Sequence, residues 1–448
     1  MARPSRRSNR FWWKYPLNAT SMPVLLGALG HIWRCGCVRS VSVPNRSSTR
    51  DASGMAFWSG NLVVMLRKIT ANEDKIACGP DFDMFLRDVR ARALEFRRAR
   101  HIPIDVIDEF KRFGVYRALV ARRFGGMEAS AAAFLELIET IGHADASAGW
   151  VASFGVSATY LAALPIPTLE EIYREGPNVV FAGAIFPPQK AEQDNGDVLV
   201  SGRWPFASGC MGASLIGVGI ALSEESGGLP RTAVMPAASV RIEETWDTIG
   251  LGGTGSHDVV VENVRVPASW TFIRGGTPTI DRPIYRYPSL GLAAQVLTAV
   301  GLGCARRALD EATAMAGGRR SITGAPVMAD RPHVQAELAE AEAMLSSARS
   351  FFYAVTHEAW DLLLDGGQVP ESLANRIRLA ATHAAQVSAQ VARHCFALGG
   401  IAAVQSDHIL GRCMQDCAVV AQHAFMAKGN YEAAGRIMLG RDARPGYP

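Results

Sequence analysis

The chain has 448 residues, of which 48% are hydrophobic and 20% are charged. This composition is typical of water-soluble globular proteins and excludes disordered, collagen-like and fibrous classes. The length corresponds to roughly two to four domains, and the net charge of +4 is unevenly distributed along it.

The positive charge is concentrated at the N-terminus. Nine of the 46 basic residues and none of the 42 acidic residues lie in residues 1–50, so the remainder carries a net charge of −5. The main part of the chain therefore has no basic excess that would indicate a nucleic-acid partner, and we expect none.

Residues 1–64 form an Arg- and Ser-rich segment without periodicity. Its composition is compatible with a transit peptide, a nucleic-acid-binding arm, or a start assigned upstream of a natural one at Met55 or Met65. The excess of Arg over Lys, 40 to 6, is typical of GC-rich genomes and favours the third interpretation, a non-core extension. The longest apolar run of the segment, residues 22–33, is too short to span a bilayer, so we expect no membrane association.

The eight cysteines form no CxxC pair, and neither they nor the ten histidines cluster with metal-ligand spacing. Scattered cysteines in a long chain are typical of reduced thiols. We therefore expect a cytoplasmic protein without a metal site.

Residues 65–178 are predicted to form an N-terminal helical domain. Apolar side chains recur at helical spacing over residues 81–100, and Ala-rich apolar segments follow over 131–141 and 147–164.

Residues 179–284 change to short β-type runs separated by Gly, Pro and Asn or Asp. The runs cover residues 179–185, 198–206, 215–222, 232–235, 240–245 and 259–266. Such runs indicate an antiparallel barrel or sandwich, and we expect a central antiparallel β-barrel.

Residues 285–448 contain four long Ala- and Leu-rich stretches, which predict a C-terminal four-helix bundle. The stretches cover residues 289–316, 331–363, 370–399 and 407–439. The predicted fold class is therefore α+β, and the order of elements lacks the βαβ context of a nicotinamide-binding Rossmann unit.

The segment GLGGTG, residues 250–255, matches the GxGxxG dinucleotide-binding pattern. A strand ending at Pro267 follows it instead of a helix, so the dinucleotide interpretation is disfavoured. A Gly-rich turn that lets the backbone approach a ligand is favoured. Thr254, Gly255 and Ser256 would supply hydroxyl and amide groups there.

Two further segments carry candidate residues. GRWPFASGC, residues 202–210, ends a strand with an aromatic pair and Ser208, although a simple turn is the alternative interpretation. In the last predicted helix, Asp416 and His423 are expected to share one face. A histidine on an apolar stripe is often a core residue, but its titration range makes His423 the best candidate base of the final third.

Together these segments resemble the acyl-CoA dehydrogenase superfamily over residues 70–440. The strings Trp-x-x-x-Ser-Gly-Cys and Gly-Gly-Thr-Gly-Ser resemble its flavin-dependent monooxygenase branch. Members of that branch are oxygenase components of two-component hydroxylases that act on p-hydroxyphenylacetate, secosteroid phenols or indole-acetate. The resemblance implies a homotetramer and a separate NAD(P)H-dependent flavin reductase. The segments that carry it are residues 113–130, 145–153, 202–210, 246–267 and the last helix.

The same resemblance implies the chemistry. Reduced FMN or FAD would react with molecular oxygen to a flavin hydroperoxide, which hydroxylates a small aromatic substrate. Ser208 would support the flavin near its reactive ring nitrogen, and His423 would deprotonate or orient the substrate. The cofactor-binding residues would be Trp204, Phe206, Ser208, Thr254, Gly255, Ser256 and Arg320. The substrate pocket would be lined by Trp150, Phe154, Cys210 and Tyr285.

One position distinguishes this chemistry from the alternative, an acyl-CoA dehydrogenase or related FAD-dependent desaturase. In the commonest dehydrogenases a glutamate base follows the aspartate of the last helix by about two turns, where this chain has Ala424. A few dehydrogenases carry the glutamate on another helix, so the alternative stays open, as does a non-enzymatic flavin-binding role. Phenol-hydroxylating relatives carry an arginine at the position of Gly252 and a histidine near Ala158, which disfavours a phenol as substrate.

Overall fold

Helices form the first part of the fold. The computed structural model describes residues 76–77, 79–222, 230–318, 327–443 and 447; the predicted extension, residues 1–64, lies outside them. The helices are α1 (Pro80–Ala91), α2 (Ala93–Ala99), α3 (Ile104–Arg112), α4 (Ala131–Ala144), α5 (Ala146–Ala152), α6 (Ser157–Leu161) and α7 (Ile166–Ile172). The side chains of Ser130 and Asp145 accept hydrogen bonds from backbone N–H groups at the starts of α4 and α5, which explains where these helices begin.

The second Ala-rich segment is not one continuous helix. A 3₁₀ turn, Ser153–Val156, separates α5 from α6. At Gly155 a β-carbon would lie 2.6 Å from the carbonyl oxygen of Val115, so the glycine lets this turn pack directly against the neighbouring loop. The turn brings Phe154 close to the strand region, where a β-carbon on Gly209 would lie 3.8 Å from its ring.

The central part contains two four-stranded sheets with the orders β1-β4-β5-β8 and β2-β3-β7-β6. The strands are β1 (Phe181–Lys190), β2 (Glu192–Asp194), β3 (Asp197–Ala207), β4 (Leu215–Ala221), β5 (Arg231–Pro236), β6 (Arg241–Glu243), β7 (His257–Pro267) and β8 (Thr271–Ile273). All six predicted β-type runs contain strands, and apolar side chains from both sheets share one core.

The predicted antiparallel β-barrel is wrong, because neither sheet closes on itself within the described residues. Three of the four edge strands, β2, β6 and β8, are only three residues long, so they cannot continue the hydrogen-bonded ladder around a barrel. The first strand also pairs with β4 in parallel, and its Pro187 and Pro188 lack the N–H donors that a further neighbour would need.

Long helices dominate the last part of the fold. They are α8 (Pro283–Arg286), α9 (Ser289–Gly318), α10 (Pro332–Leu364), α11 (Glu371–Ala403), α12 (Ile409–Gln422) and α13 (Gly429–Met438). α9 packs against both α11 and the N-terminal α4, so the N- and C-terminal helices share one core. In the described part of the chain, one helix, Ser289–Gly317, is long and apolar enough to span a membrane by length and composition. Of its most apolar stretch, 83% is buried inside the fold.

The last predicted helix, residues 407–439, is divided into α12 and α13. α12 ends at Gln422, and His423 has extended backbone angles, φ −59° and ψ 141°. The expectation that His423 continues the helical face of Asp416 is therefore wrong. The chain turns at this residue, where the His423 carbonyl oxygen accepts a 2.8 Å hydrogen bond from the N–H of Met426.

Candidate functional site

The GLGGTG loop is fixed against the helix that leads to His423. The backbone N–H of Leu251 donates a 2.6 Å hydrogen bond to Oδ1 of Asp416 in α12. A β-carbon on Gly250 would overlap the carbonyl oxygen of Gln415, so only glycine permits this close approach. On the other side, the N–H of Gly253 donates to Oγ of Ser147 over 3.1 Å. The loop therefore joins α12 to α5.

The side chain that holds this loop, Asp416, is half-buried. Burial and the nearby Asp145 raise the pKa of Asp416 to about 7, although the Leu251 N–H and Arg412 act in the opposite direction. Burial also raises the pKa of Asp145, whose side chain caps α5. Two carboxyl groups next to the GLGGTG loop, those of Asp416 and Asp145, thus bind protons more strongly than exposed carboxyl groups do.

Three hydroxyl groups form a chain that we call the hydroxyl cluster: Thr254, Ser256 and Ser208. Thr254 Oγ1 donates to the carbonyl oxygen of Leu251 over 2.9 Å. Ser256 Oγ lies 2.7 Å from Thr254 Oγ1 and 2.6 Å from Ser208 Oγ. Because the one proton of Thr254 is used on Leu251, Ser256 donates to Thr254 and Ser208 donates to Ser256. The Ser208 oxygen therefore keeps its lone pairs for an external hydrogen-bond donor.

The two segments of the cluster are brought together by strand pairing. Ala207 in β3 is the register partner of His257 in β7. The N–H of Gly209 donates to the carbonyl oxygen of Thr254 over 2.8 Å. Cys210 Sγ donates to the carbonyl oxygen of Gly255 over 3.4 Å. Burial raises the pKa of the Cys210 thiol to about 12, so this side chain is neutral.

The two aromatic residues of β3 have different environments. Trp204 is fully buried between the sheets, where Nε1 donates to the carbonyl oxygen of Gly219 over 2.8 Å. Phe206 is 65% exposed and has a left-handed backbone, φ 65°, which points to a conformation imposed by its surroundings. Its ring packs edge-on against Trp246. The strand thus exposes the Phe206 ring and buries the Trp204 ring between the two sheets.

His423 lies beside Trp150, with ring centroids 5.7 Å apart in a T-shaped arrangement. Its Nδ1 accepts a 3.2 Å hydrogen bond from the N–H of Phe425. Burial and the positive charges of Arg274 and Arg378 lower the pKa of His423 to about 4. The imidazole is therefore neutral at physiological pH, with its proton on Nε2. In this state Nε2 carries a proton that can be donated, and Nδ1 is occupied by the Phe425 N–H and is not free to act as a base.

α5 and the turn after it connect His423 to the hydroxyl cluster. Trp150 contacts His423, while a β-carbon on Gly209 would lie 3.6 Å from Val151 and 3.8 Å from Phe154. Tyr285 is not brought into either group, since its hydroxyl donates to the carbonyl oxygen of Leu119 over 3.1 Å. Arg320, predicted to bind the cofactor, lies outside the described residues.

Two functional candidates were not predicted from sequence, Arg274 after β8 and Arg378 in α11. Arg378 lies among the apolar residues Ile377 and Ala381 on the buried face of α11. A charged residue at such a position is unusual, and the sequence pattern could have indicated it as a candidate. Arg274 carries no comparable signal, because only the fold shows what surrounds it.

Comparison with known proteins identifies the family. The family described as "Acyl-CoA dehydrogenase, C-terminal domain" matches residues 295–428. The oxygenase component of a FADH(2)-dependent resorcinol hydroxylase from Rhizobium sp. is 30% identical over 277 residues, 58% of this chain and 67% of the relative. Indole-3-acetate monooxygenase from Pseudomonas putida is 56% identical over 375 residues, 83% of this chain and 96% of the relative. The chain belongs to the flavin-dependent monooxygenases of the acyl-CoA dehydrogenase superfamily.

A solved structure supports the same assignment. The 3-HSA hydroxylase from Rhodococcus sp. RHA1 superimposes with a TM-score of 0.76 at 25% identity, covering 82% of this chain and 97% of that one. The predicted superfamily and branch are confirmed, and this monooxygenase is an oxidoreductase with an acyl-CoA dehydrogenase-like fold of mixed helices and sheets.

Proposed function

We propose that this monooxygenase is the oxygenase component of a two-component system that hydroxylates indole-3-acetate or a closely related indole carboxylic acid. It would use molecular oxygen and reduced FMN or FAD delivered by a separate NAD(P)H-dependent reductase. The observation that carries the proposal is the environment of His423. Its ring lies beside the aromatic ring of Trp150, and the charged groups that shift its pKa are two arginines and no carboxylate. The 56% identity to an indole-3-acetate monooxygenase supports it.

The residues around the hydroxyl cluster fit a reduced flavin. A bound reduced flavin would supply the electrons that activate oxygen. The free lone pairs of Ser208 are suited to an N–H donor on the flavin ring, and the exposed ring of Phe206 is suited to stack on it. Thr254, Gly255 and Ser256 would hold the ring edge from the loop side. Trp204 would act only by supporting β3 from behind, and Arg320 stays a proposed phosphate ligand.

His423 would orient the substrate in this proposal. Its Nε2–H donates a hydrogen bond to the substrate, since Nδ1 is occupied by the Phe425 N–H. Trp150, Phe154 and Cys210 would enclose the aromatic ring and exclude water, which protects the activated oxygen from unproductive release. We retain Tyr285 as a proposed pocket residue that would act through the segment around Leu119.

The dehydrogenase alternative lacks a base at its commonest position. Ala424 stands where the glutamate is expected, and its side chain is exposed. The adjacent His423 is held neutral, with Nδ1 occupied. Abstraction of an α-proton from an acyl thioester needs a group that can accept that proton, and neither residue provides one.

We further propose a cytoplasmic homotetramer with domain boundaries near residues 178 and 284 and a C-terminal four-helix bundle. Support for assembly comes from large apolar side chains that are exposed on the C-terminal helices: Ile401, Val404, Met438 and Leu439. Light scattering coupled to gel filtration would give a mass four times that of the chain, and a monomer mass would contradict the proposal.

The function is tested by supplying one reactant at a time. With reduced flavin, oxygen and indole-3-acetate together, we expect a product one oxygen atom heavier than the substrate, detected by mass spectrometry. Omission of any one of the three should abolish the product. Anaerobic bleaching of oxidised flavin by an acyl-CoA without external reductant, or failure to form the oxygenated product, would contradict the proposal.

A further inference from the structure

Arg378 is a buried cation that meets no countercharge in the part of the chain that the structure describes. The residue is 2% exposed and lies in the N-terminal third of α11. Nη1 donates to the carbonyl oxygen of Leu290 over 3.0 Å, and Nε is buried without any hydrogen-bond partner. A guanidinium has five N–H donors, and none of those of Arg378 meets a carboxylate within the described residues.

Arg274 reaches the same place from another part of the fold. Its guanidinium carbon lies 4.3 Å from the ring centroid of Tyr160 and 5.9 Å from that of Phe425. That of Arg378 lies 5.3 Å from the Phe425 ring. The Nε of Arg274 is also buried and without a partner. We call Arg274 and Arg378 the arginine pair.

The surroundings of the arginine pair contain aromatic rings and no described acid. Arg378 lies 5.2 Å from the ring of Tyr447 as well as beside Phe425. Burial lowers the pKa of Arg378 to about 10, and Tyr447 is the single group that acts against this shift. Faces of aromatic rings stabilise cations only weakly compared with a carboxylate. Two cations in such a place are therefore strongly stabilised by an incoming anion.

The arginine pair also borders the proposed substrate site. Both of its members act on His423, whose ring lies 5.0 Å from Phe425 and 5.7 Å from Trp150. Phe425 is thus shared by the arginines and the histidine. A ligand whose ring packs on Trp150 and that accepts a hydrogen bond from Nε2–H of His423 would therefore have a substituent near the arginine pair.

We propose that the arginine pair binds the carboxylate of the substrate and makes this enzyme selective for aromatic carboxylic acids over neutral aromatics. The inference rests on the proposed function, since it assigns the group that recognises the acid of an indole carboxylic acid. Arg274 contacts the carboxylate directly, because it lies over Tyr160 on a short segment after β8 and is only partly buried. Arg378, fixed by Leu290, contributes its charge from beneath Phe425.

The test compares indole-3-acetate with indole-3-acetamide, which has nearly the same shape and no charge. We expect Arg274→Gln to lower kcat/KM for indole-3-acetate by about 100-fold, as loss of a charge-assisted hydrogen bond implies, and for indole-3-acetamide by less than about threefold. Arg274→Lys should retain part of the preference. Arg378→Met replaces the buried charge with an apolar side chain of similar length. It should lower the preference for indole-3-acetate over indole-3-acetamide while the protein stays folded.

A binding measurement separates recognition from turnover. Calorimetric titration of the flavin-free protein with indole-3-acetate should show a Kd raised by about 100-fold in Arg274→Gln. Arg112→Gln, which removes an exposed arginine paired with Glu109, is the matched control and should change neither Kd nor preference.

The outcomes separate the two proposals. If the wild-type enzyme hydroxylates both compounds equally well, or if Arg274→Gln lowers turnover of both by the same factor, the carboxylate site is wrong and the monooxygenase proposal stands. If the wild-type enzyme hydroxylates neither compound with reduced flavin and oxygen, the proposed function itself fails.

Discussion

The hydroxyl cluster and the arginine pair satisfy their polar groups in opposite ways. In the hydroxyl cluster every proton has an acceptor inside the protein, ending at the carbonyl oxygen of Leu251. In the arginine pair, the two Nε donors are buried and find no acceptor among the described residues.

This difference indicates what each region needs from a ligand. The hydroxyl cluster is complete as a structure and offers only acceptor lone pairs on Ser208, so it can receive an N–H group without rearranging. Among the described residues the arginine pair meets no anion, and the buried charge of Arg378 in particular would be stabilised by one. The first region is suited to a cofactor that every turnover requires, and the second to a group that selects the substrate.

The largest effect should follow from Gly250→Ala, which disturbs the seat of the hydroxyl cluster and leaves the arginine pair in place. The new methyl group overlaps the carbonyl oxygen of Gln415, so we expect the free energy of unfolding to fall by about 3 kcal/mol in urea denaturation. Gly252→Ala is the control, since a methyl group there would lie 3.3 Å from the side chain of Arg97 and 3.9 Å from the carbonyl oxygen of Thr248, without overlap. An equal loss in both variants would mean that the loop is not held by α12.

Ser208→Ala should affect hydroxylation and not substrate binding. Without the acceptor on Ser208, we expect product formed per oxygen consumed to fall by about tenfold, the value of one hydrogen bond, with the Kd for indole-3-acetate unchanged. Oxygen-electrode and product measurements on the same sample give this ratio. Ser201→Ala, on the exposed part of β3, is the control. A weaker affinity for indole-3-acetate in Ser208→Ala would place the two groups of residues in one binding site.

Asp416→Asn should stabilise the protein in a pH-dependent way. The pKa of Asp416 is raised to about 7 in the fold, so the native state releases this proton less readily than the unfolded chain. Wild-type stability therefore falls, relative to the variant, as pH rises from about 4 to about 7. The asparagine can still accept the Leu251 N–H. The full shift corresponds to about 4 kcal/mol, and the half-buried carboxyl group keeps part of its solvation. We therefore expect an advantage of about 2 kcal/mol for the variant at about pH 8 and none at about pH 4, measured by urea unfolding.

The smallest expected effect is the pH dependence of catalysis that arises from His423, which lies near the arginine pair. Because the pKa of His423 is lowered to about 4, the folded protein keeps this side chain neutral at pH values between about 4 and 6.5, where a histidine in the unfolded chain binds a proton. With neutral indole as substrate, kcat/KM should be constant from about pH 8 down to about pH 5.5 and fall only toward pH 4. A titration near the ordinary histidine pKa that disappears in His423→Gln would show that His423 acts as a base.

Sequence alone could place the hydroxyl cluster but not the arginine pair. Ser208 and Thr254 to Ser256 lie at the ends of two predicted strands, and pairing of Ala207 with His257 joins them. Arg274 and Arg378 are about 100 residues apart, and their importance comes from what is missing around them, which only a fold can show.

Two other features were beyond reach for related reasons. Alternating strands indicate a buried face, but they do not tell whether edge strands as short as β6 can close a sheet. The end of α12 at His423 has no glycine or proline to mark it, since the segment reads VVAQHAFMAKG. There a side-chain hydrogen bond to the Phe425 N–H accompanies the turn.

A crystal structure of the wild-type enzyme with indole-3-acetate tests the central comparison most directly. We expect the indole ring against Trp150 and the carboxylate within hydrogen-bonding distance of the Arg274 guanidinium, with Ser208 left free for the cofactor. A carboxylate bound at the hydroxyl cluster, or directed to solvent with the arginine pair still unpartnered, would contradict the account.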